Sequence, residues 1–246
     1  MLHETCRFSV IVVTLNTEES IGRTISSILS QQFKNYEVIV IDGLSSDKTL
    51  DVIDSFKFNN VIVRSEVDNG IYDAMNKGIE LASGEYLYFL NSGDYFFSDK
   101  VLLDINEELL NKQDPDLLYG DVILYDGESE RYFEQVSELS KKYFIKKSIC
   151  HQAVFSRKSL FEEYGSFDTK FKLRADYVWL AALYTKNKIE FNYFKYPICF
   201  YKRGGASAKL NWYENLLACS RNFDISVMIR YRYLPYFFKR IKKIFR

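Results

Sequence analysis

Long apolar runs are missing from this chain: no stretch approaches the roughly 20 residues that a membrane-spanning helix requires. Histidine is scarce as well. With two in 246 residues, a histidine-built metal cluster and a Ser-His-Asp triad are both set aside. Only three prolines occur and there is no low-complexity tract, so long disordered linkers are not expected. The four cysteines, Cys6, Cys150, Cys199 and Cys219, make no CxxC pair and no zinc-like spacing. They read as reduced core thiols in a cytosolic setting. No GxGxxG follows the first strand-like segment, which argues against a dinucleotide-dependent oxidoreductase. Neither a signal-peptide layout nor a repeat at solenoid periods is seen.

What is present is a globular composition, 47% hydrophobic and 27% charged. At this length one domain with a small appendage is the natural expectation. The charges cancel, 33 against 33, but they are unevenly spread. Residues 230–246 hold seven basic groups and no acid, leaving a body with 26 basic and 33 acidic residues. Such a body is not expected to bind nucleic acid. We divide the chain into a body, 1–229, and a basic tail, 230–246.

Along the body, the β-branched run at 7–16 has the character of a strand buried on both faces, and 36–42, 60–65 and 85–91 read as a second, third and fourth strand. Helical spacing separates them: Ile21, Ile25, Ile28, Leu29 and Phe33 after a Thr17 cap, Leu50, Ile53 and Phe56 after Ser46 or Asp47, and residues 71–82 before Gly84. This alternation predicts an α/β fold with a mostly parallel central sheet and helices on both faces. Ligands of such sheets bind beyond the C-terminal strand ends. Polar residues gather there, at Thr14 and Asn16, at Asp42, and at Asn91 to Asp94. Further on, strands are expected at 116–126, 131–135, 149–156 and 191–202. Helices are expected at 157–164, 175–187 and from about 209.

The stretches "SVIVVTLNTEESIGRTISSILSQQFKNYEVIVIDGLSSDKT", "DNGIYDAMNKGIELASGEYLYFLNSGD" and "CHQAVFSRKSLFEEYGSFDTKFKLRADYVWL" resemble, in that order, family 2 glycosyltransferases of bacterial surface-polysaccharide type, with the GT-A nucleotide-diphospho-sugar transferase fold. The likeness covers about residues 7–208. It implies a nucleotide-sugar-binding half, 1–100, and an acceptor-side half, 101–229. It also implies inverting transfer from a nucleotide-sugar, with UDP favoured, to a polyprenyl-diphosphate-linked saccharide. Such a reaction needs the diphosphate leaving group neutralised and the acceptor hydroxyl deprotonated.

Asp94, just past a strand in the crevice, suits a ligand of Mn2+ or Mg2+. The family signature there is of Asp-x-Asp type, whereas this chain has Asn91 and Gly93. Asp176 matches the family's catalytic base, although Ala175 stands where an acid usually precedes it. Asp42 resembles the nucleobase reader, with Thr14, Asn16 and Glu18 lining the nucleotide pocket. Asp73 and Asn76, three apart on one helix face, look like ribose or sugar contacts, and Lys77 like a supplier of positive charge. Asn91, Ser92, His151 and Gln152 complete the donor pocket, and Arg203 or Lys202 is expected to reach the diphosphate from a loop hinged at Gly204-Gly205.

From Leu234 the apolar residues fall on a helical stripe among basic ones, a C-terminal amphipathic helix suited to an anionic membrane surface. Docking on its own domain or on a twin subunit in a homodimer is the other reading of that helix. The placement expected is cytoplasmic and peripheral to the inner membrane. The reading kept beside the enzyme is a non-catalytic nucleotide-sugar binder or scaffold with a decayed site, for which Asn91, Gly93 and Ala175 speak.

Overall fold

A computed structural model of the chain describes residues 6–57, 61–186, 188–204 and 212–233. Its centre is β1 (Phe8–Thr14), buried along its whole length because it is covered on both faces. Parallel to it run β2 (Tyr36–Asp42) and β4 (Tyr86–Phe89), with β3 (Val61–Ser65) outside β2. The sheet continues from β4 through β8 (Val154–Arg157), β6 (Leu117–Tyr125) and β9 (Phe191–Lys202) to β5 (Tyr95–Phe96), and β7 (Glu130–Phe133) pairs with β6. In this second part β6 and β9 are parallel, while β8, β5 and β7 join antiparallel. The result is the expected α/β architecture, a mostly parallel central sheet with helices on both faces.

Alternation along β1 divides the core. Val10 and Val12 meet α1 (Ile21–Leu29), α2 (Thr49–Ser55) and α4 (Val101–Asn111) on one face. Ile11 and Val13 share the other face's core with α3 (Ile71–Leu81), α5 (Lys141–Lys146), α6 (Lys158–Tyr164) and α7 (Ala175–Thr185). Helix α3 lies close to the sheet because Gly78 lacks a side chain: a Cβ there would sit 2.4 Å from Ile11 Cγ2. That approach sets the height of Tyr72 over the strand ends, which matters for the site below. Truncating Ile11 to alanine would cost about 2–5 kcal/mol, the usual range for a sealed aliphatic side chain.

Two local expectations are corrected. Helix α1 begins at Ile21, and the Thr17 hydroxyl bonds the Thr14 hydroxyl at 2.6 Å instead of capping it. Residues 151–153 form a single 3-10 turn, and the strand begins only at Val154. The Ala153 N–H bonds Cys150 O at 3.0 Å, which turns the chain toward the strand ends. The helix expected from about 209 is described from Trp212 to Asn222 (α8). The amphipathic stripe from Leu234 lies outside the described residues. Among the described residues no helix is long and apolar enough to cross a membrane.

Candidate active site

A cleft of about 840 Å³ opens at the C-terminal ends of β1 and β4. One wall is the turn Asn91-Ser92-Gly93-Asp94. Gly93 adopts φ +97°, a conformation strained for any residue with a side chain, and this closes the turn tightly. The Asp94 N–H bonds Asn91 O at 3.0 Å, and the Thr24 hydroxyl both accepts from Gly93 N–H and donates to Asp94 O. β5 pairs with β9, and this carries Lys202 alongside, whose N–H donates to Asp94 Oδ1 at 2.8 Å. Asp94 is only 4% exposed. Burial pushes its carboxyl up to about 7, against the opposing influence of the Lys202 N–H, His151 and Gln152.

The facing wall carries Asp176, in the first turn of α7, where the helix dipole favours a negative charge. The Tyr72 hydroxyl, from α3, donates to Asp176 Oδ1 at 2.7 Å, and His151 Nδ1 lies 3.0 Å from Oδ2. Burial pushes this carboxyl up, yet His151, Tyr72 and the Tyr177 N–H together outweigh it and hold it below the usual carboxylate range. A carboxylate only accepts, so His151 Nδ1 carries the proton. In the neutral ring Nε2 is then an acceptor, and Asn91 Nδ2 lies 3.4 Å from it. One imidazole thus links the turn of Asp94 to the carboxylate of Asp176. Asn91 Oδ1 points away from that link and is buried without a partner. It and the Asp94 carboxylate are two hard-oxygen donors on one turn, of the kind that hold a divalent cation. Among the described residues no three His, Cys, Asp or Glu side chains converge as a ready metal site.

Of the residues expected in the site, Thr14, Asn91, Ser92, Asp94, His151, Gln152, Asp176 and Arg203 line this cleft. The others have different employment. Asn16 sits at φ 51°, and its amide oxygen accepts from Ser46 N–H. Glu18 accepts from Lys48 N–H at 2.8 Å, so both pin one loop to another. Asp42 is fully buried and accepts from the Ser45 N–H, the Ser45 hydroxyl and the Ser65 hydroxyl. Asp73 accepts from Asn69 N–H at the start of α3. Both ends of the Asn76 amide bond the Phe167 backbone, and Lys77 Nζ is held by Val67 O, Asp68 and Glu66. These six meet the protein's own polar groups, and the donor contacts expected of them stand as a proposal.

Sequence reasoning misses Tyr72 and Arg174, which also line the cleft. The available signal for Tyr72 was its place on the buried face of α3, where a hydroxyl must find a partner.

The fold, with its cleft beyond the strand ends, is similar to that of GT-A transferases. One of them is TarS from S. aureus in its complex with UDP, with TM-score 0.70 and 21% identity. The match covers 87% of this chain and 64% of the TarS chain. The model of the family "Glycosyl transferase family 2" matches residues 9–165. A PGL/p-HBAD biosynthesis glycosyltransferase of Mycobacterium bovis is 30% identical over 201 residues, 80% of this chain and 77% of the relative. The Escherichia coli UDP-Glc:alpha-D-GlcNAc-diphosphoundecaprenol beta-1,3-glucosyltransferase WfaP is 35% identical over 94 residues, 38% of each chain. The chain belongs to glycosyl transferase family 2 and is a glycosyltransferase.

Proposed function

We propose that this glycosyltransferase moves a sugar, with inversion, from a UDP-sugar to a hydroxyl of a polyprenyl-diphosphate-linked saccharide in bacterial surface-polysaccharide synthesis (O-antigen, capsule or exopolysaccharide). The observation that carries the reading is the Asp176 carboxylate, held ionised by Tyr72 and His151 and joined through one imidazole to the Asn91–Asp94 turn. The UDP bound by TarS and the lipid-linked acceptor in the name of WfaP support the donor and acceptor classes.

Of the four lone pairs on the Asp176 carboxylate, three meet the Tyr72 hydroxyl, His151 Nδ1 and the Tyr177 N–H, which leaves one for an incoming hydroxyl. Asp176 takes the acceptor's proton, the acceptor oxygen attacks the anomeric carbon, and the bond from that carbon to the diphosphate breaks on the opposite face. Lys202 and Arg203 line the side where the diphosphate's charge builds up. A divalent cation, Mn2+ or Mg2+, fits the turn: Asn91 Oδ1 and Asp94 would hold it, and when bound it supplies neutralisation of the leaving group. The basic tail would keep the enzyme at an anionic membrane surface where such acceptors lie.

The test is transfer from UDP-sugars to a lipid-linked saccharide with and without manganese. Asp176→Asn should lower kcat by about 100-fold or more, the worth of a positioned base, while UDP affinity stays as it was. Wild-type kcat in that variant refutes the assignment.

A further inference from the structure

The cleft has cations at both ends. Lys202 and Arg203 line it beside Asp94, and Lys172 and Arg174 line it beside Asp176. The first pair is accounted for by the donor's diphosphate. The second has no assignment.

Arg174 immediately precedes α7 and is held from two sides. Its Nη2 donates to Asn215 Oδ1 of α8 at 2.7 Å, and its guanidinium lies 4.9 Å from the Tyr177 ring centroid. Its Nε is sealed from solvent with no hydrogen-bond partner. Among the described residues no carboxylate is within ion-pair distance of Arg174 or Lys172. Lys172 Nζ donates to the Asn69 carbonyl at 3.0 Å. Asp176, two residues on, is turned to Tyr72 and His151 and so is not the counter-ion. A fixed, partly desolvated guanidinium without an anion is unfavourable by itself, and the cleft that Arg174 lines is the route open to a partner.

We infer that Arg174, with Lys172 at the rim, is a second anion subsite that holds the acceptor's phosphate group about one sugar ring from the hydroxyl that Asp176 deprotonates. The inference rests on the glycosyltransferase reading above and adds to it the class of acceptor the site selects. Position supports the acceptor side. Arg174 stands two residues before Asp176, on the wall that faces the Asp94 turn, and its guanidinium is tied through Asn215 to α8 of the acceptor-side half. The planar guanidinium suits phosphate oxygens, which it meets with parallel N–H donors. A phosphate here would draw the acceptor's sugar across Asp176, and an acceptor without one would lose that alignment.

The experiment is calorimetric titration of the full chain, saturated with UDP and magnesium, with decyl diphosphate. Decyl glucoside serves as the neutral control and monomeric dihexanoyl phosphatidylglycerol as a lipid-headgroup phosphate. The expected result is saturable binding of decyl diphosphate alone, weakened at least tenfold in Arg174→Gln and less in Arg174→Lys, with UDP affinity equal in all three proteins. UDP binding without decyl diphosphate binding overturns the subsite and leaves the glycosyltransferase reading standing. So does decyl diphosphate binding that is unchanged in Arg174→Gln, or phosphatidylglycerol binding of equal strength. Failure of the wild type to bind UDP removes that reading, and the subsite with it.

Discussion

Asp94→Asn should make the protein more stable and less active, and the stability gain should depend on pH. In the unfolded chain the carboxyl ionises at its ordinary 3.8, whereas burial in the native cleft raises it to about 7. The fold therefore prefers the neutral form. Stability attributable to this group is greatest below pH ~4, falls as the pH rises, and levels off above about 7. Each pH unit between the two values corresponds to about 1.4 kcal/mol. The native state thus loses about 1.5 kcal/mol by pH 5 and about 4 kcal/mol by pH 8. Asparagine cannot ionise, and it keeps an oxygen for the Lys202 N–H. The variant's advantage should grow by about 2.5 kcal/mol between pH 5 and pH 8, or roughly 5–10 °C in Tm for a chain of this size. Scanning calorimetry of both proteins at the two pH values measures it directly. A Tm difference that is equal at both, or larger at pH 5, refutes the reasoning. Manganese should stabilise the wild type more at pH 8 than at pH 6, because a cation binds the ionised carboxylate.

Tyr72→Phe removes one of the two side-chain donors that hold Asp176 low. The acid limb of the kcat profile should move to higher pH, and stability should fall by about 1–3 kcal/mol. That loss should be full above the ordinary carboxylate range and fade as Asp176 is protonated below it; an unmoved limb counts against the contact. Asp42→Asn leaves buried donors unmatched and should lower stability by about 1–3 kcal/mol, read by urea unfolding. Wild-type stability together with weakened UDP binding would return Asp42 to nucleobase reading. Removing residues 230–246 should abolish sedimentation with anionic vesicles and its salt dependence; unchanged sedimentation would assign the tail to a subunit contact.

The parallel half of the sheet is legible in the sequence because its strands read as β-branched or aromatic runs, β1 and β4 buried along their length and β3, at the edge, partly exposed. Asp94 is legible as a carboxylate that closes a buried strand and Asp176 through its match to the family's base, and the structure sets both on one cleft. Asn16, Glu18, Asp42 and Asp73 can be read two ways for a related reason. The turns beyond strand ends carry backbone N–H groups that need acceptors, and the side chains that satisfy them are the types that would otherwise meet a nucleotide. Residue type cannot separate the two uses; only the direction of the lone pairs can. Tyr72 and Arg174 are hidden differently, since their partners Asp176 and Asn215 lie 104 and 41 residues away in sequence.

Asn91 joins both cases. In sequence it reads as the loss of an acid from a metal signature. In the fold its amide faces two ways, its nitrogen toward His151 Nε2 and its oxygen buried without a partner on the turn of Asp94. An aspartate could supply the oxygen but could not donate to a neutral imidazole. With His151 bonded to Asp176 through Nδ1, asparagine can make the link by donating to a bare Nε2 or by accepting from a protonated one. The missing charge is therefore compatible with the link, and it leaves Asp94 as the one carboxylate of the Asn91-Ser92-Gly93-Asp94 turn.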